Sequence, residues 1–401
     1  ENFRCTIRYG NYFSCFGSSE LKQMDFSLYP FSIQVIFALS TGQHFSDIEY
    51  LGRFPMLNKL HIENFTVFRK ADLEFSSGLN VITGDNGSGK SHLLKLGYAI
   101  LKTLESFGEK FPAKEIAERG LAGNLVDIFR PETLGRLASR VQGSSGSSVS
   151  ATWNQKGRLD FSFSTRKTEK VDILSTPQYV PLGSSTLFIP PKEIISVFEG
   201  FQGALEKREL AFDGTYLALA KALNPAPLKG KRPSETARLV NELEKNLKAS
   251  VLKKNNRFYF SSKSTSGQFE ASLVAEGHRK LGMLTYLIMN GELRNKSSLF
   301  WDEPEANLNP RLLRELAGIL VELSKVMQVT VATHSLFLLR ELEILQKQKK
   351  LSKACYFGLH FSDNGVEVLS GPSSNDIGDI AALDTSLEQS ERYMQLTYGE
   401  A

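Results

Sequence analysis

From Leu57 the chain alternates apolar and polar positions through LNKLHIENF and again through DLEFSSGLNVITG, two strand-like runs joined by a turn-like FRKA. Ser76-Ser77-Gly78 punctuates the second run, whose strand takes in Leu79, Val81 and Ile82 and stops at Gly84. After a glycine-rich stretch, SHLLKLGYAILKTLESF sets Leu93, Leu94, Gly97, Ile100, Leu101 and Leu104 at helical spacing. The glycines therefore lie between a strand and a helix.

Further along, residues 107–150 favour helix and end in a low-complexity Gly143–Val149 stretch expected to be a flexible loop. SATWNQKGRLDFSFSTR alternates about a Gln155-Lys156-Gly157 turn and predicts a hairpin, and TLFIPP predicts a strand stopped by Pro190 and Pro191. From about Pro191 to Leu252 the chain reads as helical and basic, with Lys229, Lys231, Arg232, Lys245 and Lys248 interspersed. A short hairpin over Arg257–Phe269 follows. Then come a helix from Glu276, a buried strand SSLFWDE, a helix from Pro310, a strand QVTVATH and a helix LFLLRELEIL. Strand and helix in alternation predict an α/β fold with a mostly parallel, doubly wound sheet. Residues 1–55 mix aromatic and polar residues without a period and read as an extension.

Composition changes this picture little. The 401 residues hold enough material for two to four domains, and 41% hydrophobic with 23% charged residues is an ordinary globular balance. A net charge of +4 is too small to argue for a nucleic-acid or membrane partner by itself. Three cysteines, Cys5, Cys15 and Cys355, without a CxxC or Cys/His cluster, make neither a disulfide framework nor a zinc site, so a reducing, cytoplasmic compartment is expected. The Phe31–Leu39 apolar run is too short to span a bilayer, and no membrane partner is expected.

The chemistry concentrates in three segments. Gly84-Asp85-Asn86-Gly87-Ser88-Gly89-Lys90-Ser91 matches GxxxxGK[ST] directly after a strand and at the opening of a helix. In that setting, backbone N–H groups curl around phosphate oxygens, Lys90 reaches the β- and γ-phosphates, and Ser91 takes Mg²⁺; His92 completes the ATP-binding set. Ser297–Pro304 is an apolar strand ending in two carboxylates, the form of a Walker B motif. Asp302 is expected to hold Mg²⁺ through water, and Glu303 to orient the attacking water near the γ-phosphate. Thr333-His334-Ser335 closes the next strand, at the sheet end where α/β proteins bind ligands. More than two hundred residues separate Lys90 from Asp302, consistent with a large insertion between two halves of one site.

The order of IENF, the Walker A motif, EANLNP after the Walker B motif, and ATHS resembles the ABC/SMC-type ATP heads, in particular bacterial AAA-domain ATPases of the OLD- and RecF-like kind, over most of residues 57–345. The resemblance implies a head with an antiparallel β subdomain and a helical insertion. It makes Asn307 a D-loop residue and His334 a switch residue for the γ-phosphate. It also implies a signature segment acting on a second copy, here Leu273–Lys280, with Ala275, Glu276, Gly277 and Arg279 as its site residues. Ala275 departs from the family's serine there, and Arg279 or Lys280 would supply charge. The Q-loop falls either at Gln178 or at Ile189-Pro-Pro-Lys192-Glu193. Phe65 is either an adenine neighbour or a core aromatic. The expected division is an extension of unknown role over 1–55, an N-terminal half-head over 56–190 and a helical insertion over 191–270. A C-terminal half over 271–345 and a strand or tail over 346–401 complete it.

The resemblance implies ATP and Mg²⁺ as cofactors, a homodimer or higher homo-oligomer, and ATP-driven association that controls a separate effector, a nuclease or toxin, in anti-phage defence. DNA maintenance with direct DNA binding, a non-catalytic nucleotide-binding scaffold and a transporter ATPase are the alternatives. Glu303 argues against the scaffold, Ala275 for it, and the basic insertion with EANLNP against the transporter. Fewer than seventy residues follow His334, which is short for a Toprim nuclease domain. Asp376 and Asp379 are the nearest acid pair there, so no nuclease is expected on this chain.

Overall fold

The computed structural model describes residues 56–398 apart from 109, 140–145, 155–156, 178–184, 231–233, 263–266, 294–295, 352, 364 and 380. The extension expected over 1–55, the Gln178 alternative for the Q-loop and the Gln155-Lys156 part of the hairpin turn lie outside the described residues.

Three sheets organise the chain. The first is antiparallel: β1 (Leu57–Phe65), β2 (Phe68–Glu74), β4 (Gly146–Trp153), β5 (Gly157–Ser164) and β6 (Asp172–Ser175) lie in the order β2-β1-β4-β5-β6. The central sheet adds β3 (Leu79–Gly84), β7 (Ser185–Ile189), β11 (Lys296–Asp302), β12 (Gln328–Thr333), β13 (Ala354–Ser362) and β14 (Gly365–Gly371) in the order β14-β13-β3-β12-β11-β7. Its strands run parallel from β7 to β13, and β14 alone returns antiparallel. A three-stranded antiparallel sheet of β8 (Ala249–Lys254), β9 (Arg257–Ser262) and β10 (Gln268–Glu270) stands apart.

The expected parallel, doubly wound sheet is therefore present. Four local readings differ. FRKA is no turn but the start of β2, because Thr66 and Val67, with Thr66 in a left-handed conformation, already reverse the chain. The predicted flexible loop ends early, since residues 146–149 pair with β5 as strand. The segment 191–270 holds the β8–β10 sheet besides its helices α3 (Phe198–Glu206), α4 (Gly214–Ala222) and α5 (Ser234–Leu247). Beyond residue 346 the chain contributes β13 and β14 to the central sheet and ends in a helix, Ala381–Tyr398, so it is more than a strand with a tail.

Both faces of the central sheet are covered, which is why β3 and β12 are buried at every position, as parallel strands require. Leu79 and Val81 point into a core shared with α6 (Glu276–Met289), α7 (Pro310–Ser324) and α8 (Leu336–Lys347). Ile82 and Phe300 point to the opposite core, against α1 (Lys90–Phe107), α2 (Lys114–Phe129) and the antiparallel sheet. At Gly97 of α1 an added Cβ would lie 3.0 Å from the Phe300 ring and 3.2 Å from Leu57, so glycine sets how closely the Walker A helix can rest on β11. The buried Gln328 side chain accepts from the Leu57 N–H and donates to the Leu57 and Ser76 carbonyls, which fixes the start of β1 against the central sheet.

Candidate nucleotide site

Parallel register brings the three motif segments to one edge. Gly84 ends β3, Thr333 pairs with Thr83 at the end of β12, and Asp302 pairs with Ala332 at the end of β11, so the phosphate loop, both acids and His334 share the C-terminal rim. The loop itself needs its glycines at two places. Gly89 caps α1 at φ 93°, and an added Cβ there would lie 2.6 Å from Val67 and 2.7 Å from Phe68. Gly87 is exposed at φ 82°. Ser88 is buried and its hydroxyl lacks a hydrogen-bond partner, while Asp85 is half-buried and Asn86 exposed.

Lys90 reaches back over this loop, donating to the Gly84 carbonyl at 2.8 Å and the Asp85 carbonyl at 2.9 Å. Burial holds its pKa down, and Glu303, Asp302, Asp85 and Glu305 oppose that shift. Its two bonds to loop carbonyls hold the ammonium over the glycine-rich loop, where it can donate a charge-assisted hydrogen bond to an anionic ligand.

Asp302 is 3% exposed, and burial raises its pKa to about 6 even though the Ser91 hydroxyl donates to it; Glu303 adds to the rise. Its Oδ1 is buried without a hydrogen-bond partner. An orphaned buried carboxylate oxygen next to a serine hydroxyl fits a hard cation such as Mg²⁺. A folded-state pKa above the ordinary 3.8 means this carboxyl's contribution to stability is fullest below that value and is lost as pH rises through about 6. At pH 7.5 the loss is on the order of 2–3 kcal/mol. Asp302→Asn should therefore raise the melting temperature of metal-free protein at pH 7.5 and leave it little changed near pH 4. Equal shifts at the two pH values would contradict the environment described for Asp302.

Glu303 sits at φ 46°, a left-handed conformation uncommon for a non-glycine residue, with its N–H bonded to the Ala332 carbonyl at 3.0 Å. This backbone turn leaves the Glu303 side chain part-exposed at the rim, 3.9 Å from His334 Nδ1. Glu305, which the sequence reading left within the EANLNP string, proves central. It is buried, accepts from the Thr333 hydroxyl at 2.7 Å and from the His334 N–H at 2.9 Å, and lies 3.5 Å from the His334 ring. Its position three residues after Asp302 was the available signal.

Lys280 was missed as a structural residue. Its side chain is fully buried and donates to the Glu303 carbonyl at 3.0 Å and the Ala306 carbonyl at 3.1 Å, tying α6 to the turn that carries Glu303. It is therefore not a free charge for a second copy. Arg279 pairs with the buried Glu193 at 2.7 Å within its own chain, which links α6 to the Ile189–Glu193 segment expected as an alternative for the Q-loop. Gly277 is buried, and an added Cβ would lie 2.7 Å from the Asn307 carbonyl; Asn307 itself is exposed at φ 63°. Ala275, exposed, and the half-buried Glu276 open α6 without a side-chain cap.

Two more expectations separate here. Phe65 is fully buried, edge-to-face with Phe129 and Phe163, so it is a core aromatic and not an adenine neighbour. His92 packs its ring 5.8 Å from Phe129, and burial first, then Lys95, lower its pKa, which keeps the imidazole neutral.

Comparison with known proteins agrees with this geometry. An AAA-domain family model matches residues 59–102, and a second AAA-domain model, whose description names the AbiEii toxin of a type IV toxin–antitoxin system, matches residues 196–340. The DNA repair protein RecN of Aquifex aeolicus is 34% identical over 105 residues, 26% of this chain and 19% of that protein. The DNA replication and repair protein RecF of Magnetococcus marinus is 33% identical over 108 residues, 24% of this chain and 27% of that protein. The chain thus matches between about a fifth and a quarter of the length of these relatives. An SMC head solved with the C-terminal winged-helix domain of ScpA superposes with a TM-score of 0.50 at 14% identity, covering 80% of this chain and 99% of that one. With the GxxxxGKS loop, Asp302 and His334 gathered on one rim of the matching sheet, the chain is a P-loop protein with the head fold of the ABC/SMC-type ATPases.

Proposed function

We propose that the chain binds and hydrolyses Mg·ATP and that two copies close over the nucleotide. The observation that carries this is the orphaned Oδ1 of Asp302 beside Ser91, on the same rim as Lys90 and Glu303. Lys90 and the loop amides from Gly84 to His92 hold the phosphates, and Ser91 with Asp302 holds Mg²⁺. Bound there, the metal would offset charge between the β- and γ-phosphates. Glu303 orients the attacking water and His334, steadied by Glu305, meets the γ-phosphate. Ala275, Glu276 and Asn307 form the face presented to a second copy, with the buried Gly277 behind it against the Asn307 carbonyl and Arg279 holding Glu193.

The RecN and RecF matches support a DNA-maintenance output in which DNA favours the closed pair. The toxin named in the second family description supports the other reading, control of a separate effector protein, a nuclease or toxin, in anti-phage defence. Turnover measured with and without double-stranded DNA tests the choice. A severalfold stimulation by DNA, weakened by salt, is expected for the first reading. Turnover indifferent to DNA would remove that reading and leave the effector.

A further inference from the structure

Lys95 stands one helical turn after Ser91, so both side chains occupy one face of α1. Its ammonium pairs with Asp213 Oδ2 at 2.7 Å, joining the Walker A helix to the residue that opens α4, and both side chains are about four-fifths buried. The other Asp213 oxygen is already engaged: Oδ1 accepts the Thr215 N–H at 2.9 Å and the Thr215 hydroxyl, capping α4. Asp213 also borders a cavity of about 630 Å³ between α2 and the 205–213 segment, lined besides by Arg130, Arg208 and Phe212. The start of α4 is thus held to α1 by this ion pair and borders open space.

The same ammonium is near enough for its charge to act on Asp302, whose Oδ1 is buried and lacks a hydrogen-bond partner. A lysine one helical turn from Ser91, whose hydroxyl donates to Asp302, is a built-in rival for any metal ion at the open Oδ1, and Asp213 is the group that engages it. We propose that Lys95 is a positioning residue: Asp213 holds it away from Asp302, and when the start of α4 leaves α1 the ammonium turns to Asp302 and takes the place of the metal. The helical segment thereby governs whether the site accepts Mg²⁺. This rests on the reading of Ser91 and Asp302 as the Mg²⁺ site.

The test is equilibrium binding of a labelled, non-hydrolysable ATP analogue titrated with Mg²⁺, on four full-length proteins with thermal melts recorded for each. Asp213→Asn removes the ion pair and keeps a good N-cap. It should raise the half-saturating Mg²⁺ about tenfold. Lys95→Met should stay within about threefold of wild type, and Lys95→Met/Asp213→Asn should return to that range, because the rival cation is gone. An Asp213→Asn protein that needs no more Mg²⁺ than wild type overturns the proposal. So does a double variant as impaired as Asp213→Asn, the outcome for a pair that only holds two helices together. Wild-type protein that binds no analogue at any Mg²⁺ concentration would instead overturn the nucleotide site, and the latch with it.

Discussion

Glu303→Gln should bind ATP with near wild-type affinity, turn it over about a hundred to ten thousand times more slowly, and accumulate as an ATP-bound pair. The amide keeps the shape of the side chain and removes the charge that polarises water. The left-handed backbone at Glu303, pinned by the Ala332 carbonyl and by Lys280 from below, does not depend on the carboxylate. Binding should therefore survive. Single-turnover hydrolysis and light scattering with and without Mg·ATP provide the check, and normal turnover would remove Glu303 from its role beside the water.

Lys90→Ala should abolish ATP binding. The ammonium is the cation that reaches over the phosphate loop, and its bonds to the Gly84 and Asp85 carbonyls show the reach it would use toward the β- and γ-phosphates. Two charge-assisted hydrogen bonds to phosphate are worth about 3–6 kcal/mol together, enough to move a micromolar site to between roughly a tenth of a millimolar and tens of millimolar. Removing the ammonium also leaves Glu303, Asp302, Asp85 and Glu305 without the nearby cation, which repels the phosphates further. Unchanged affinity for a labelled analogue would mean that the nucleotide sits elsewhere.

Much of this architecture could be read along the chain because two periodicities dominate it. The run from Leu79 to Gly84 and the helix from Lys90 carry unbroken strand and helix patterns on either side of the glycines, and Asp302 and His334 close strands of the same parallel sheet. Readings failed where contacts between distant segments decide the outcome. FRKA carries three polar-to-small residues and looks like a turn, yet Lys70 and Ala71 are paired to Glu63 and Ile62 on β1. Phe65, by default a core aromatic but also a candidate adenine neighbour, is settled in the core by Phe129 and Phe163, far away in sequence, which close over it. Lys280 and Arg279 read as exposed charge beside a signature, and only the fold shows the first buried under the Glu303 turn and the second joined to Glu193. Glu305 gave a hint by spacing alone, because its two hydrogen-bond donors come from another strand.

The central claim is that one copy completes the nucleotide site of the other, and a mixture of two inactive variants tests it most directly. Gly277 is unsuited as a partner lesion, since a side chain there would strike the Asn307 carbonyl of its own chain. Ala275 is exposed at the start of α6, so Ala275→Asp places a charge on the face meant for the second copy without disturbing the core. Lys90→Ala and Ala275→Asp should each be inactive alone. Mixed in equal amounts, they form pairs in which one site carries both lesions and the other carries neither, so hydrolysis should return to about a quarter of the wild-type rate. A mixture that remains as inactive as its two components would show that each chain completes its own site.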